Sequence, residues 1–258
     1  MTIFTNGTLI DDKITDVFSE YPPQGVEISI YGSTAKTHDG ITASQGSFSQ
    51  SMAGIKRLSA RKIKVSLKTM IMKTNMHEFE GMLSMAADLG LNFRADPELF
   101  PALDGDKSPI DLRVPAEQAV DLEMKLPGRK ENWRKFIKKM EHIPSNKSLY
   151  ECAAGMSYFH ISSEGLLRPC LMTTDIGIDL IKYSFRHAWT DLLPKLFDRT
   201  GSSDFKCASC LSRIACDSCP SFFKLENGKK NVYSSYMCDI TAERMKHLTG
   251  GPYDEERK

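Results

Sequence analysis

The chain has 258 residues, 41% of them hydrophobic, a composition that supports a genuine core and one large domain or two modest ones. A net charge of +1 gives no general reason to expect nucleic acid or an anionic membrane as partner. No run of about 18 apolar residues marks a membrane span, and Met1–Asp12 lacks the basic and apolar regions of a signal peptide, so a cytoplasmic protein is expected.

The first half alternates strand and helix signals. Thr2–Thr5 reads as a short strand ending in the turn pair Asn6-Gly7. Apolar spacing from Leu9 to Phe18 predicts a helix, and Val26–Tyr31 alternates as a strand does. A polar loop is expected over Gly32–Gly46, then a helix over Ser47–Ala60 with Met52, Ile55 and Leu58 on one face. Lys62–Met72 alternates again, with Ile63, Val65 and Leu67 pointing one way. Asn75 is a candidate N-cap with Glu78 three residues on, and the helix it opens runs to Leu89 and stops at Gly90. Leu91–Arg94 closes the series as a strand. This rhythm predicts an α/β fold with a mainly parallel sheet. A sheet whose first strand begins at residue 2 has an open edge, which leads us to expect further structure upstream or a partner.

Residues 96–116 are rich in proline and read as loop. Residues 125–141 carry Lys125, Arg129, Lys130, Arg134, Lys135, Lys138 and Lys139; they read as a solvated helix joining two domains, or as a docking face for an acidic peptide. His38 and Asp39 lie in the expected polar loop, where substrate contact competes with capping and turn roles. Arg94 ends a strand and faces either a ligand carboxylate or a surface ion pair. His160, His187 and His247 lie near cysteines in sequence, but the cysteine pattern needs none of them.

All seven cysteines lie at or after residue 152. An odd number in a reducing compartment argues for metal thiolate ligation over a disulfide framework. Cys152 is followed by Gly165-x4-Cys170, then Cys207-x2-Cys210-x5-Cys216-x2-Cys219, and finally Cys238. Each CxxC turn lets two thiolates converge, and soft sulfur donors suit zinc or iron–sulfur chemistry. A zinc ribbon usually separates its CxxC pairs by about 15–20 residues, and one zinc would leave three cysteines idle. Two iron–sulfur clusters, one with four thiolates and one with three, use all seven; a zinc-bound structural protein remains the alternative.

Gly165-x4-Cys170, the CxxC-x5-C run, Cys219-Pro220 and a last cysteine after Leu225-Glu226-Asn227-Gly228 resemble a SPASM domain, the auxiliary-cluster domain of many radical S-adenosylmethionine (radical SAM) enzymes. The usual spacing between the fifth and sixth cysteines is three residues, whereas Cys216 and Cys219 are separated by two. Thr5-Asn6-Gly7 resembles the TNG at the end of the third strand of a radical SAM barrel. Val26–Gly32, Thr37-His38-Asp39 and Gly46-Ser47-Phe48 resemble the strand and loop that follow in peptide maturases.

The resemblance implies an incomplete radical SAM (βα)6 partial barrel over residues 1–124, a basic helical linker over 125–148 and a small cysteine-rich SPASM domain over 149–258. It implies two auxiliary clusters of the [4Fe-4S] kind: Cys152, Cys170 and Cys219 would hold the first, whose last iron takes another ligand or stays open, and Cys207, Cys210, Cys216 and Cys238 the second. Asn6 and Ser29 fall at strand ends that would face S-adenosylmethionine. The family's catalytic CxxxCxxC loop and its Gly-Gly-Glu-type motif have no counterpart here, because the first strand matches the family's third. The chain is therefore expected to correspond to the C-terminal two-thirds of a peptide-modifying enzyme, by truncation, gene-model error or a split gene. Such a portion would work with a peptide or protein substrate, and with a separate N-terminal radical SAM portion where the gene is split. The competing expectation is a non-catalytic iron–sulfur module that transfers electrons or binds peptide.

Overall fold

The computed structural model describes residues 1–140, 148–200 and 204–249. These form two compact units. The first comprises Met1–Leu99 and Leu112–Lys130; the second comprises Phe100–Asp111 and the described residues from Glu131 onward. Residues 100–111 thus group with the cysteine-bearing unit and interrupt the first.

The first unit is built on a four-stranded parallel sheet in the order β1 (Thr2–Thr5), β2 (Gly25–Ser29), β3 (Val65–Met70) and β4 (Asn92–Asp96). Helices α1 (Asp12–Glu20), α2 (Ala35–Thr42), α3 (Ser47–Ala60) and α4 (Phe79–Asp88) fill the connections, and α5 (Ala116–Met124) follows later. The alternation read in the sequence places one side of β2 and of β3 in the core. Val26, Ile28, Val65 and Leu67 are buried with Ile55 and Leu58 of α3 and Met82 and Ala86 of α4. Asp11, not Leu9, starts α1, because its carboxylate accepts the Ile14 N–H at 2.8 Å.

Two expectations fail here for a shared reason. The predicted polar loop over Gly32–Gly46 contains α2, and Asn75–Glu78 is not a capping box. Asn75 instead turns back on β3: its Oδ1 accepts from Met72 N–H at 2.8 Å, and its Nδ2 donates to Met70 O at 3.0 Å. Met76–Glu78 is a 3₁₀ turn leading into α4. Glu78 reaches back to the start of α2, accepting from Ser33 N–H (2.7 Å), the Ser33 hydroxyl (3.0 Å), Thr34 N–H (3.0 Å) and the hydroxyls of Thr34 and Thr37. Burial opposes its ionisation, but those hydrogen bonds outweigh it and hold its pKa down to about 2. Glu78→Gln is therefore expected to destabilise the first unit by about 1.5–3 kcal/mol in urea melts at neutral pH. A folded pKa below the ordinary value of 4.5 means that this stabilisation is complete above pH 4.5 and fades as pH falls toward 2. The gap between wild type and Glu78→Gln should close over that window.

Gly54 of α3 packs directly on the loop after β1. A Cβ there would overlap the Gly7 carbonyl oxygen, and Ser51 one turn earlier donates to Asn6 O at 2.7 Å. Gly54→Ala is expected to displace the Asn6-Gly7 turn and lower the unit's thermal stability by about 1–3 kcal/mol.

Helix α6 (Arg129–Met140) carries the basic run of residues 125–141 except for Lys125, which forms an ion pair with Glu80. The second unit holds a three-stranded antiparallel sheet, β5 (His160–Ile161), β6 (Leu166–Arg168) and β7 (Ile178–Asp179). Helix α7 (Phe185–His187) runs through a π turn into α8 (Leu193–Leu196), and α9 (Pro220–Asn227) and α10 (Ser235–Thr249) complete the unit. Its core is small, with Leu149, Tyr150, Leu167, Phe197, Phe205 and Phe223 at the centre. Among the described residues no helix is long and apolar enough to cross a membrane.

Candidate metal centre

The cysteines sit on short turns that the sequence builds locally. Gly165 adopts φ +80° in the β5–β6 turn, a conformation that favours glycine, and β6 then delivers Cys170. The Cys170 sulfur lies 3.1 Å from the Thr173 hydroxyl, which is 3.2 Å from the Ser221 hydroxyl; that group is in turn 3.1 Å from the Tyr150 phenol. Thr173, Ser221 and Tyr150 are buried, so this hydrogen-bonded chain is fixed behind the sulfur. Arg199 donates to the carbonyls of Tyr150 (2.6 Å), Cys152 (2.7 Å) and Ala154, which shapes the turn bearing Cys152. Cys219 is the N-cap of α9 with Pro220 at its first position, and the backbone N–H groups of Phe222 and Ser221 favour its thiolate against burial. The Cys-Pro pair is thus a helix start that gathers donors around a thiolate.

The CxxC-x5-C run forms two 3₁₀ turns, Lys206–Ser209 and Leu211–Ala215, which place Cys207, Cys210 and Cys216 at their ends. Cys238 comes from the first turn of α10. These four cysteines line one cavity of about 200 Å³ together with Phe223 and Met237.

The seven thiols are not disulfide-bonded. Four of the thiols are raised by burial and by neighbouring thiols. Burial, then Cys216 and Cys210, push the Cys207 thiol up to about 11; burial, Cys238 and Cys210 do the same to Cys216. Burial, Cys207 and Cys210 raise Cys238 to about 11. Cys219 is also raised to about 11 by burial, but its neighbouring thiols are Cys170 and Cys152. Such thiols stay protonated at neutral pH unless a cation takes the proton's place, which is the condition a metal-loaded site meets. Among the described residues no three His, Cys, Asp or Glu side chains gather closely enough to hold a single metal ion. The four cysteines that line the cavity are soft donors of the kind that iron–sulfur clusters and zinc both take.

Other candidates have plainer roles. His38 lies on α2, is 1% exposed and accepts the Tyr31 N–H through Nδ1 at 3.1 Å. Asp39 accepts from Gly46 N–H, Phe48 N–H and the Ser47 hydroxyl, so it caps the entry to α3. Arg94 pairs with Asp96 (3.3 Å) and Glu27 (3.7 Å). His187 pairs with Asp191. Asn6 forms an Asx turn with Thr8. Ser29 ends β2 in register with Lys68, which is in register with Arg94, so these residues share the polar face of the sheet.

Arg213, in the five-residue spacer, had no signal in the sequence. It lines the four-cysteine cavity, and its side chain is 8% exposed.

No protein-family model matches the sequence. It is 24% identical over 245 residues to the AdoMet-dependent heme synthase of Methanosarcina barkeri, covering 83% of this chain and 69% of the relative. It is 29% identical over 173 residues to the sporulation killing factor maturation protein SkfB of Bacillus subtilis, covering 66% of this chain but 41% of SkfB. In three dimensions it matches anSMEcpe with bound AdoMet and Cp18Cys peptide at TM-score 0.67 and 14% identity, over 96% of this chain and 73% of that one. Streptococcus suis SuiB bound to its precursor peptide SuiA matches at TM-score 0.66 and 15% identity, over 92% of this chain and 58% of SuiB.

Proposed function

We propose that this chain, which resembles the radical SAM/SPASM peptide maturases and shares their α/β fold, is the C-terminal, cluster-bearing portion of an enzyme that modifies a ribosomally made peptide or a protein side chain. The observation that supports the reading is the single cavity lined by Cys207, Cys210, Cys216 and Cys238. In this reading Cys152, Cys170 and Cys219 hold one [4Fe-4S] cluster, and Cys207, Cys210, Cys216 and Cys238 hold a second. Bound there, the clusters would supply one-electron transfer. The protein's share is to bury the sulfurs and to aim donors at them: the Thr173 hydroxyl at Cys170 and the α9 N-terminus at Cys219. Residues 1–124 are the partial barrel, 125–148 the linker and 149–258 the SPASM domain. The linker's 141–147 and the domain's 201–203 and 250–258 lie outside the described residues. Asn6 and Ser29 are the residues proposed to meet AdoMet, on a sheet face where Lys68 and Arg94 stand among Glu27 and Asp96. A peptide partner is supported by anSMEcpe and SuiB, both described with a bound peptide.

One observation favours a second reading. The 258 residues contain no CxxxCxxC. A non-catalytic electron-transfer or peptide-binding module needs none, and a catalytic assembly would draw that loop from sequence ahead of β1 or from a separate portion.

Single-cysteine variants test the assignment. Cys216→Ser and Cys219→Ser are each expected to lose about half of the iron and sulfide, about four of eight irons, from the reconstituted chain. Loss of all iron in both, or of none in either, would refute two independent sets.

A further inference from the structure

Arg213 is held rigidly beside the four-cysteine cavity. Its Nη2 donates to the carbonyls of Ser148 (2.9 Å) and Leu149 (3.1 Å), and the guanidinium lies over the Phe205 ring at 5.3 Å. Its Nε–H is buried and meets no hydrogen-bond acceptor among the described residues. A buried donor left unmade is costly, so a site of this kind calls for an acceptor. The cavity it lines presents sulfur. Glu151 lies 3.3 Å from Nη1, but its side chain is 35% exposed against 8% for Arg213. Solvent therefore screens the carboxylate more than the cation, so the guanidinium charge is only partly offset.

We propose that Arg213 raises the reduction potential of the cluster at Cys207, Cys210, Cys216 and Cys238, by placing a fixed charge and a guanidinium N–H against its sulfurs. The inference rests on the two-cluster reading above. One-electron reduction makes a cluster one charge more negative, and a buried cation with a donor to sulfur stabilises that reduced form. Arg213 is a tuning and positioning residue. It makes no bond to iron.

The test is an EPR-monitored redox titration of the iron-loaded full chain with dithionite. Arg213→Gln should keep its iron and lower one of the two midpoint potentials by at least a tenfold change in the reduction equilibrium, about 59 mV for one electron. The other potential should stay in place. Arg213→Lys, which keeps the charge but not the planar fork, should recover part of the shift. Full iron with both potentials unmoved in Arg213→Gln overturns the proposal. Should that variant fail to take up iron, wild-type chain labelled with ¹⁵N-arginine still decides. Pulsed EPR of the reduced protein should show a ¹⁵N coupling that disappears in labelled Arg213→Lys, and no such coupling overturns the proposal. A wild-type chain that binds only about four irons refutes the two-cluster assignment itself, an outcome distinct from an unmoved potential.

Discussion

The iron-loaded chain, incubated alone with AdoMet and dithionite, is expected to release no 5′-deoxyadenosine above a protein-free control. Reductive cleavage requires a cluster at the AdoMet site, and every cysteine of this chain lies at or after residue 152, in the second unit. The first unit supplies a parallel sheet, a polar face and the Asn6-Gly7 turn, but no thiolate. Supplying a polypeptide that carries CxxxCxxC, either fused ahead of β1 or in trans, is expected to bring cleavage above that control. Product formed by the chain alone, in proportion to protein and over several turnovers, would contradict the proposed division of roles.

The second large effect is on folding. Removing iron with a chelator and reductant is expected to abolish the cooperative unfolding of the second unit and to open it to protease, while the first unit keeps its transition. The second unit has a small core, and the two proposed thiolate sets interleave. One joins the turns at 152 and 170 to the start of α9, and the other joins the two 3₁₀ turns to α10. Cys216 and Cys219 belong to different sets although they are three positions apart. Metal binding energy in such a domain is folding energy. The first unit depends on none of this. Its core is an ordinary helix-covered sheet. Limited proteolysis with mass analysis distinguishes the two outcomes, and an apo second unit that melts as sharply as the loaded one would contradict the account.

The parts legible in the sequence are those whose stabilisation is local or periodic. Ile63, Val65 and Leu67 alternate, and all three are buried. Ile55 and Leu58 recur on one face of α3, and both are fully buried. Helix α2 was not legible, because Ala35–Thr42 carries one large apolar residue, Ile41, and the segment is stabilised from outside. Glu78, 41–45 positions downstream, accepts the hydrogen bonds that start it, and His38 buries itself against Tyr31 N–H. The same long-range contact drew Glu78 away from the capping box that its spacing from Asn75 suggested.

At the metal centre, spacing alone pointed to clusters but not to which cysteine serves which. That partition is what the family resemblance implies; the structure adds that Cys207, Cys210, Cys216 and Cys238 line one cavity. The supporting residues had no signature. Thr173 and Ser221 are small polar residues of a kind found in any loop, and Arg213 sits inside a spacer whose composition the cysteine pattern leaves open. Their roles depend on burial and on contacts with residues far away in sequence, such as Tyr150 for Ser221 and Ser148 for Arg213.

The most direct test of the central claim is the iron, acid-labile sulfide and zinc content of the reconstituted chain, read with Mössbauer spectroscopy. The account predicts about eight irons and about eight sulfides per chain, with spectra of [4Fe-4S] clusters. One zinc per chain without sulfide, or a ceiling of about four irons in the intact protein, would contradict it.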